Sequence, residues 1–334
     1  MNLTGQQIKI FTNPFPGGWT PQDIDTFLGG SEEAVVYLAQ TLVEKGAVVT
    51  VYHDKNSNCY LFRGVNYKNR EEAECNADDI FITFKDKTPW LNRADAKIKI
   101  HWSCETEKIW DYKAVDAVVH LSEFHKSRHP WIFASHSNVI PLGIDTDSLT
   151  RNKTAKEPGS ILYCSSPDRG LQHLIQDWST IKKHYPNLVL KVAYGFSHID
   201  KFSQNHTVNQ FKEDTLKALD QPGIDYLGTL DKDEIEKEYW KAQFWCLPLI
   251  HPESELFCLN AVKSRFCGCT PVVNRIGALT NTVGVHFKYS DFISGCAGLI
   301  ETKKEPVSFL TWSSVVDDYW DPLFDTILSK KGQL

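Results

Sequence analysis

Apolar residues along the chain alternate between two periods. Short, β-branched-rich runs at residues 8–11, 48–52, 79–83, 97–100, 117–121 and 138–140 read as strands. Between the first two lie Ala34, Val35, Leu38, Ala39, Leu42 and Val43, which keep to one face of a helix. Ser31 is the predicted N-cap, Glu32 and Glu33 suit the first turn, and Gly46 predicts the stop. Further helices are predicted around residues 70–76, 105–113 and 123–133. Strand, helix, strand in repetition is the pattern of a parallel sheet covered by helices. Residues 1–152 are therefore expected to form one Rossmann-like domain.

A polar stretch with a Pro-Gly step, residues 151–160, predicts an interdomain linker. A second series follows it. Strands are predicted at 160–164 and 188–192 and helices at 170–181 and 231–242, while 204–218 is polar and reads as helical or mobile. The apolar run 244–249 reads as a fully buried parallel strand. An acidic loop, a short helix and the turn Gly268-Cys269-Thr270-Pro271 lead from it into one more strand. The second domain is placed at 153–308. Residues 309–334 then carry the stripe Trp312, Val315, Val316, Tyr319, Trp320, Leu323 and Phe324, a helical face for docking on the rest of the fold.

Composition narrows the partners. With 334 residues there is room for two domains, and 42% hydrophobic against 23% charged residues argues against disorder. A net charge of −6 leaves no basic footprint, so no nucleic-acid partner is expected. Ten Trp and twelve Tyr suit flat sugar faces as well as they suit an ordinary core. Nine Cys without a CxxC pair or a His/Cys cluster at zinc spacing predict no metal site and a reduced, cytoplasmic protein. The N-terminus lacks the pattern of a signal peptide, and no apolar run predicts an integral membrane segment.

The candidate chemistry gathers where strands end and helices begin. A helix starting after the strand at 244–249 offers backbone N–H groups and a positive dipole end to an anion such as a diphosphate. Glu253 and Glu255, just before it, can accept hydrogen bonds from sugar hydroxyls. Arg169, between a strand end and a helix start, has the geometry to grip a phosphate in two places. Gly29 and Gly30 present N–H groups without side chains ahead of the first helix. His101 directly follows a predicted strand at its carboxyl edge, whereas His120 lies within one and reads as structural. No GxGxxG stands between a strand and a helix, which disfavours a nicotinamide-dependent oxidoreductase.

Glu255-x-Phe257-Cys258-Leu259, followed by Gly268 and Pro271-Val272-Val273, resembles the donor-binding motif of family 4 retaining glycosyltransferases. Residues 165–171 are similar to that family's phosphate loop, where a cation precedes Gly and a helix with Leu. Gly29-Gly30, residues 121–126 and residues 140–145 resemble other segments of it, with Leu142 in place of the usual Asn. The resemblance implies an α/β fold of two facing Rossmann-like domains, GT-B, with a C-terminal helix crossing back to the N-terminal domain. It implies retaining transfer of a sugar from a nucleotide-diphosphate sugar to a hydroxyl acceptor on a glycan, lipid or small molecule, with no cofactor and no metal. Arg169, Glu255 and His101 would be catalytic. Gly29, Gly30, Arg169, Gly228, Thr229, Glu255, Phe257, Cys258, Leu259 and Lys263 would line the donor.

Two positions depart from the family. Lys263 stands where a second Glu normally accepts hydrogen bonds from the ribose, and an ammonium has no acceptor to offer. Cys164 stands where a second phosphate-binding Arg is usual. Lys263 could replace that missing charge. The alternative is a protein of this fold that binds a nucleotide-sugar or a partner without turnover.

Overall fold

The computed structural model describes residues 2–12, 18–53, 60–85, 95–106, 112–196, 200, 206–251, 255–296, 299–300 and 309–332. The loop residues 13–17, Glu253 and most of the helix expected at 105–113 lie outside them. The chain divides into two compact units. The first holds Met1–Ile24, Leu28–Ile144 and Leu310–Leu334; the second holds Asp25–Phe27 and Asp145–Phe309.

The first unit is an eight-stranded sheet in the order β3-β4-β2-β1-β5-β6-β7-β8. Its strands are β1 (Gln7–Thr12), β2 (Val48–His53), β3 (Tyr60–Phe62), β4 (Val65–Asn69), β5 (Ile80–Phe84), β6 (Ile98–Trp102), β7 (Ala117–His120) and β8 (Ser137–Val139). All neighbours are parallel except the hairpin β3–β4. Ile8, Ile10, Val49, Val51, Ile80, Ile82, Ile98 and Ile100 are buried because the sheet interior has no solvent face. Its helices ahead of the passage to the second unit include α1 (Gly30–Glu44) and α2 (Glu123–Ser127). Helix α1 begins two residues earlier than expected, with Gly29 rather than Ser31 as N-cap.

The second unit is a seven-stranded sheet in the order β11-β10-β9-β12-β13-β14-β15. Its strands are β9 (Glu157–Tyr163), β10 (Val189–Ala193), β11 (Ile224–Gly228), β12 (Ala242–Leu247), β13 (Thr270–Val273), β14 (His286–Lys288) and β15 (Leu299–Ile300). Only β14–β15 is antiparallel. Helices α3 (Thr146–Arg151), α4 (Leu171–His184), α5 (His206–Ala218), α6 (Lys232–Lys241), α7 (Leu259–Phe266), α8 (Leu279–Thr282) and α9 (Tyr289–Ile293) complete it. Strand β12 lies between β9 and β13, as its apolar run requires, and Trp245, Cys246 and Leu247 are buried.

The passage between units falls at Ile144–Asp145, ahead of the polar stretch that the sequence marks as a linker. Residues 145–152 belong to the second unit for a physical reason. Ser148 donates to Glu236 at 2.8 Å, and Trp240 on α6 donates its indole N–H to Leu149 O at 2.6 Å, so α3 is tied to α6. Glu157–Gly159 then begin β9. The chain returns to the first unit at Leu310. Ile144 bridges Thr311, and the Gly143 Cα approaches Trp312 so closely that a Cβ would sit 2.8 Å from its backbone nitrogen. Helix α10 (Trp312–Val315), a π-turn at Val316–Trp320 and α11 (Asp321–Lys330) follow. Pro322, lacking an N–H, accounts for the wide turn ahead of α11. The apolar stripe packs where the pattern points: Trp320 meets Trp102 edge-on at 5.5 Å, and Trp312 stacks near Tyr37.

Candidate functional site

Strand order sets where a ligand can enter the second unit. The chain runs from β9 outward to β10 and β11, then returns to place β12 on the other side of β9. Loops leaving the carboxyl ends of β9 and β12 therefore diverge and open a crevice, the usual ligand position in such sheets. The loop after β9 carries Arg169, and the loop after β12 carries Glu255. Their side chains meet across this switch point, with Arg169 Nη1 3.8 Å from Glu255 Oε2. Arg169 is 38% exposed and Glu255 20%, so both remain open to a third partner.

Each loop delivers its charge through a left-handed residue. Gly170, at φ 98°, caps α4 and lies so close to Pro248 that a Cβ would sit 2.7 Å from its carbonyl oxygen. Only glycine meets both demands. Cys258, at φ 69°, caps α7, an uncommon conformation for a residue with a side chain. Its amide, its thiol and the Phe257 amide (3.4 Å) all donate to the Glu255 carboxyl. Burial raises the pKa of Glu255, while Arg169 and these donors pull it back. Neither α4 nor α7 has a side-chain cap, in contrast to α2, α3, α6 and α10, which are capped by Ser122, Asp145, Asp231 and Thr311. Two positive helix ends thus flank Arg169 and Glu255.

A tether not foreseen from sequence holds the crevice in register. Asn260, in the first turn of α7, donates to Cys164 O at 2.8 Å and lies 3.4 Å from Ser165 Oγ. Its own carbonyl oxygen accepts from Tyr239 OH at 2.8 Å. A polar residue at the second position of a short helix was the available signal. Cys164 is buried under this network, and burial pushes its thiol up to about 12. The Lys263 ammonium, one turn along α7, pulls that thiol the other way, so its charge is felt where the second cation was missed. Gly228 ends β11, at the far edge of this sheet, with φ 69°. Thr229 packs its hydroxyl against Gly195, after β10.

The first unit has its own switch point, between β1 and β5. Gly29 and Gly30 begin α1 on one side, and Glu32 folds back so that a Cβ on Gly29 would touch its carboxylate at 2.6 Å. Lys85, following β5 at φ 58°, closes the arrangement with an ion pair to Glu32 at 3.1 Å. Strand β6 extends through Trp102, which places His101 inside the strand rather than after it. His101 is 2% exposed, and its Nδ1 lies 3.0 Å from Thr83 Oγ1 on the neighbouring strand. Gly29, Gly30 and His101 thus belong to one unit, and the remaining predicted site residues to the other.

No protein-family profile and no curated protein sequence matches the chain. Solved structures do match in three dimensions. A trehalose 6-phosphate synthase from Burkholderia multivorans is similar over 98% of each chain, with a TM-score of 0.63 and 10% identity. AviGT4, a glycosyltransferase involved in avilamycin A biosynthesis, is similar over 96% of this chain and 98% of its own, at TM-score 0.62 and 14% identity. The catalytic domain of starch synthase IV from Arabidopsis thaliana, bound to ADP and acarbose, covers 97% of this chain with all of its own, at TM-score 0.58 and 10% identity. The chain has the GT-B fold of these glycosyltransferases. Among the described residues no helix is long and apolar enough to cross a membrane.

Proposed function

We propose that the protein is a retaining glycosyltransferase that moves a sugar from a nucleoside-diphosphate sugar to a hydroxyl acceptor without a metal ion. The observation that carries this reading is the Arg169–Glu255 pair, set between two helix starts without side-chain caps at the β9/β12 switch point. Arg169 and the amide ends of α4 and α7 meet the charge that grows on the departing diphosphate. Lys263 adds a second positive charge near Cys164. Glu255, oriented by the Phe257 and Cys258 donors, holds a hydroxyl of the donor sugar. Phe257, Leu259, Gly228 and Thr229 belong to the donor side. Gly29 and Gly30 supply backbone amides from the first unit, and His101, oriented through Nδ1 by Thr83, is assigned to the acceptor hydroxyl. No carboxylate serves as nucleophile: the acceptor hydroxyl attacks on the face from which the diphosphate leaves. Nine cysteines without framework spacing support a reducing, cytoplasmic setting for this enzyme.

A second reading follows from Lys263 and Cys164 themselves: nucleotide-sugar binding with turnover lost. One experiment separates the two. UDP-, GDP-, ADP- and dTDP-sugars are screened by thermal shift and by nucleotide release, with and without chelator, for the wild type and Glu255→Ala. Chelator-insensitive release from one donor class, abolished in Glu255→Ala, supports the transferase. Stabilisation without release across a broad acceptor pool supports the binding protein, and no response to any donor overturns both.

A further inference from the structure

We propose that His120, His125 and His129 form a metal site inside the first unit, taking one divalent first-row transition ion of the zinc class. The argument is independent of the glycosyltransferase reading. His120 ends β7 and is 0% exposed, yet neither of its ring nitrogens has a hydrogen-bond partner. A neutral imidazole carries one N–H and one lone pair, and buried groups of this kind are ordinarily satisfied. His125 lies on α2 and His129 just beyond it, four residues on, both buried. Their rings stand around His120: the three centroids are separated by 5.1, 5.1 and 5.3 Å. Imidazoles sharing one ion at nitrogen–metal distances of about 2.0–2.1 Å have their ring centres about 5 Å apart. One nitrogen from each ring already lies within 4.8 Å of the other two, so modest ring rotations complete the set.

The outer nitrogens are arranged as in metal-binding histidines, which donate their second N–H to a fixed acceptor. His125 Nε2 donates to Glu105 O at 2.9 Å, and His129 Nδ1 donates to His125 O at 3.3 Å. Both acceptors are backbone carbonyls, so both tautomers are set. The lone pairs then lie on His125 Nδ1 and His129 Nε2. His125 Nδ1 accepts from the Leu121 amide at 3.2 Å, a long bond that an ion would replace. Three neutral imidazoles with no carboxylate favour zinc, cobalt, nickel or copper over magnesium or calcium, and leave a fourth position for water. Bound metal would clamp the end of β7 to α2, next to the strand that carries His101, since His101 pairs with Val118.

The test uses the full chain, stripped with chelator and dialysed against zinc or cobalt. The wild type is expected to retain one equivalent, to show the visible absorption of a low-coordinate, nitrogen-ligated cobalt ion, and to melt several degrees higher with zinc. His120→Phe, which keeps an apolar ring in the same space, and His129→Gln are each expected to lose affinity more than about 100-fold, beyond the range of an outer-shell effect. If His120→Phe fails to fold, His129→Gln decides. A folded wild type that retains no stoichiometric metal overturns the proposal. So does retention unchanged in the variants, or thiolate charge-transfer bands that place the ion on cysteines.

Discussion

The two sheets share a topology and differ in what they do with charge at their switch points. Between β1 and β5 the charges answer each other: Glu32 curls over Gly29 and pairs with Lys85, both largely buried. Between β9 and β12 the charges are held apart and outward. Arg169 and Glu255 meet only at 3.8 Å, and two helix ends point into the same crevice without side-chain caps. In the first arrangement the side-chain charges neutralise each other, although α1 also starts without a side-chain cap. The second leaves Arg169 and Glu255 open to a further partner, which supports its proposed role as the donor site.

The largest effect that would break this comparison is on turnover. Arg169→Ala is expected to lower kcat about 10²–10³-fold, the range for removing one donor to developing charge, and Arg169→Lys is expected to recover only part of it. Nucleotide release under saturating donor measures both. A loss smaller than tenfold would move the diphosphate elsewhere.

Next come the left-handed caps. Gly170→Ala is expected to cost about 2–3 kcal/mol in urea unfolding, because a forced φ adds to contact with Pro248. Gly228→Ala, also at positive φ but with nothing within 4 Å of its Cβ, should cost about 1–2 kcal/mol. Equal costs would mean that the α4 start is not wedged against β12. Asn260→Ala should cost about 1–3 kcal/mol, since it leaves Cys164 O and Tyr239 OH without their partner.

The smallest effect is a pH dependence. Burial raises the pKa of Glu255 above its ordinary value of 4.5, so the folded state favours its protonated form. The stability this contributes is complete below that ordinary value and is lost as pH rises through the raised one. Glu255→Gln should therefore gain stability on the wild type as pH rises above 4.5. The opposite slope would mean that Arg169 and the Cys258 donors outweigh burial.

Much of this was legible in the chain. The apolar runs locate β1, β2, β5, β6, β7, β10 and β12 to within a residue or two, because buried parallel strands leave an unmistakable run. The stripe from Trp312 to Phe324 likewise marks the terminal helix. The hairpin β3–β4 left no such trace, since Leu61 is exposed and Tyr60 and Phe62 are half-buried, so the run is not core. The residues 70–76 give only a single 3-10 turn at Arg70–Glu72. Arg169, Glu255, Cys258 and Gly170 could be singled out because strand ends and helix starts are where such residues gain chemical use. The Asn260 tether, the Glu32–Lys85 pair and the approach of His120 to the His125/His129 pair could not, because each joins elements by register, which no local pattern records. His101 shows the same limit, as a two-residue extension of β6 moves it from loop to sheet interior.

The most direct test of the donor-site assignment is calorimetric binding of UDP, GDP and ADP to three proteins: wild type, Arg169→Ala and Lys85→Met. One nucleotide should bind the wild type, weaken about 10- to 100-fold in Arg169→Ala, as loss of a charge-assisted contact predicts, and bind Lys85→Met unchanged. Binding that survives in Arg169→Ala and is lost in Lys85→Met would place the nucleotide at the other switch point and contradict the account.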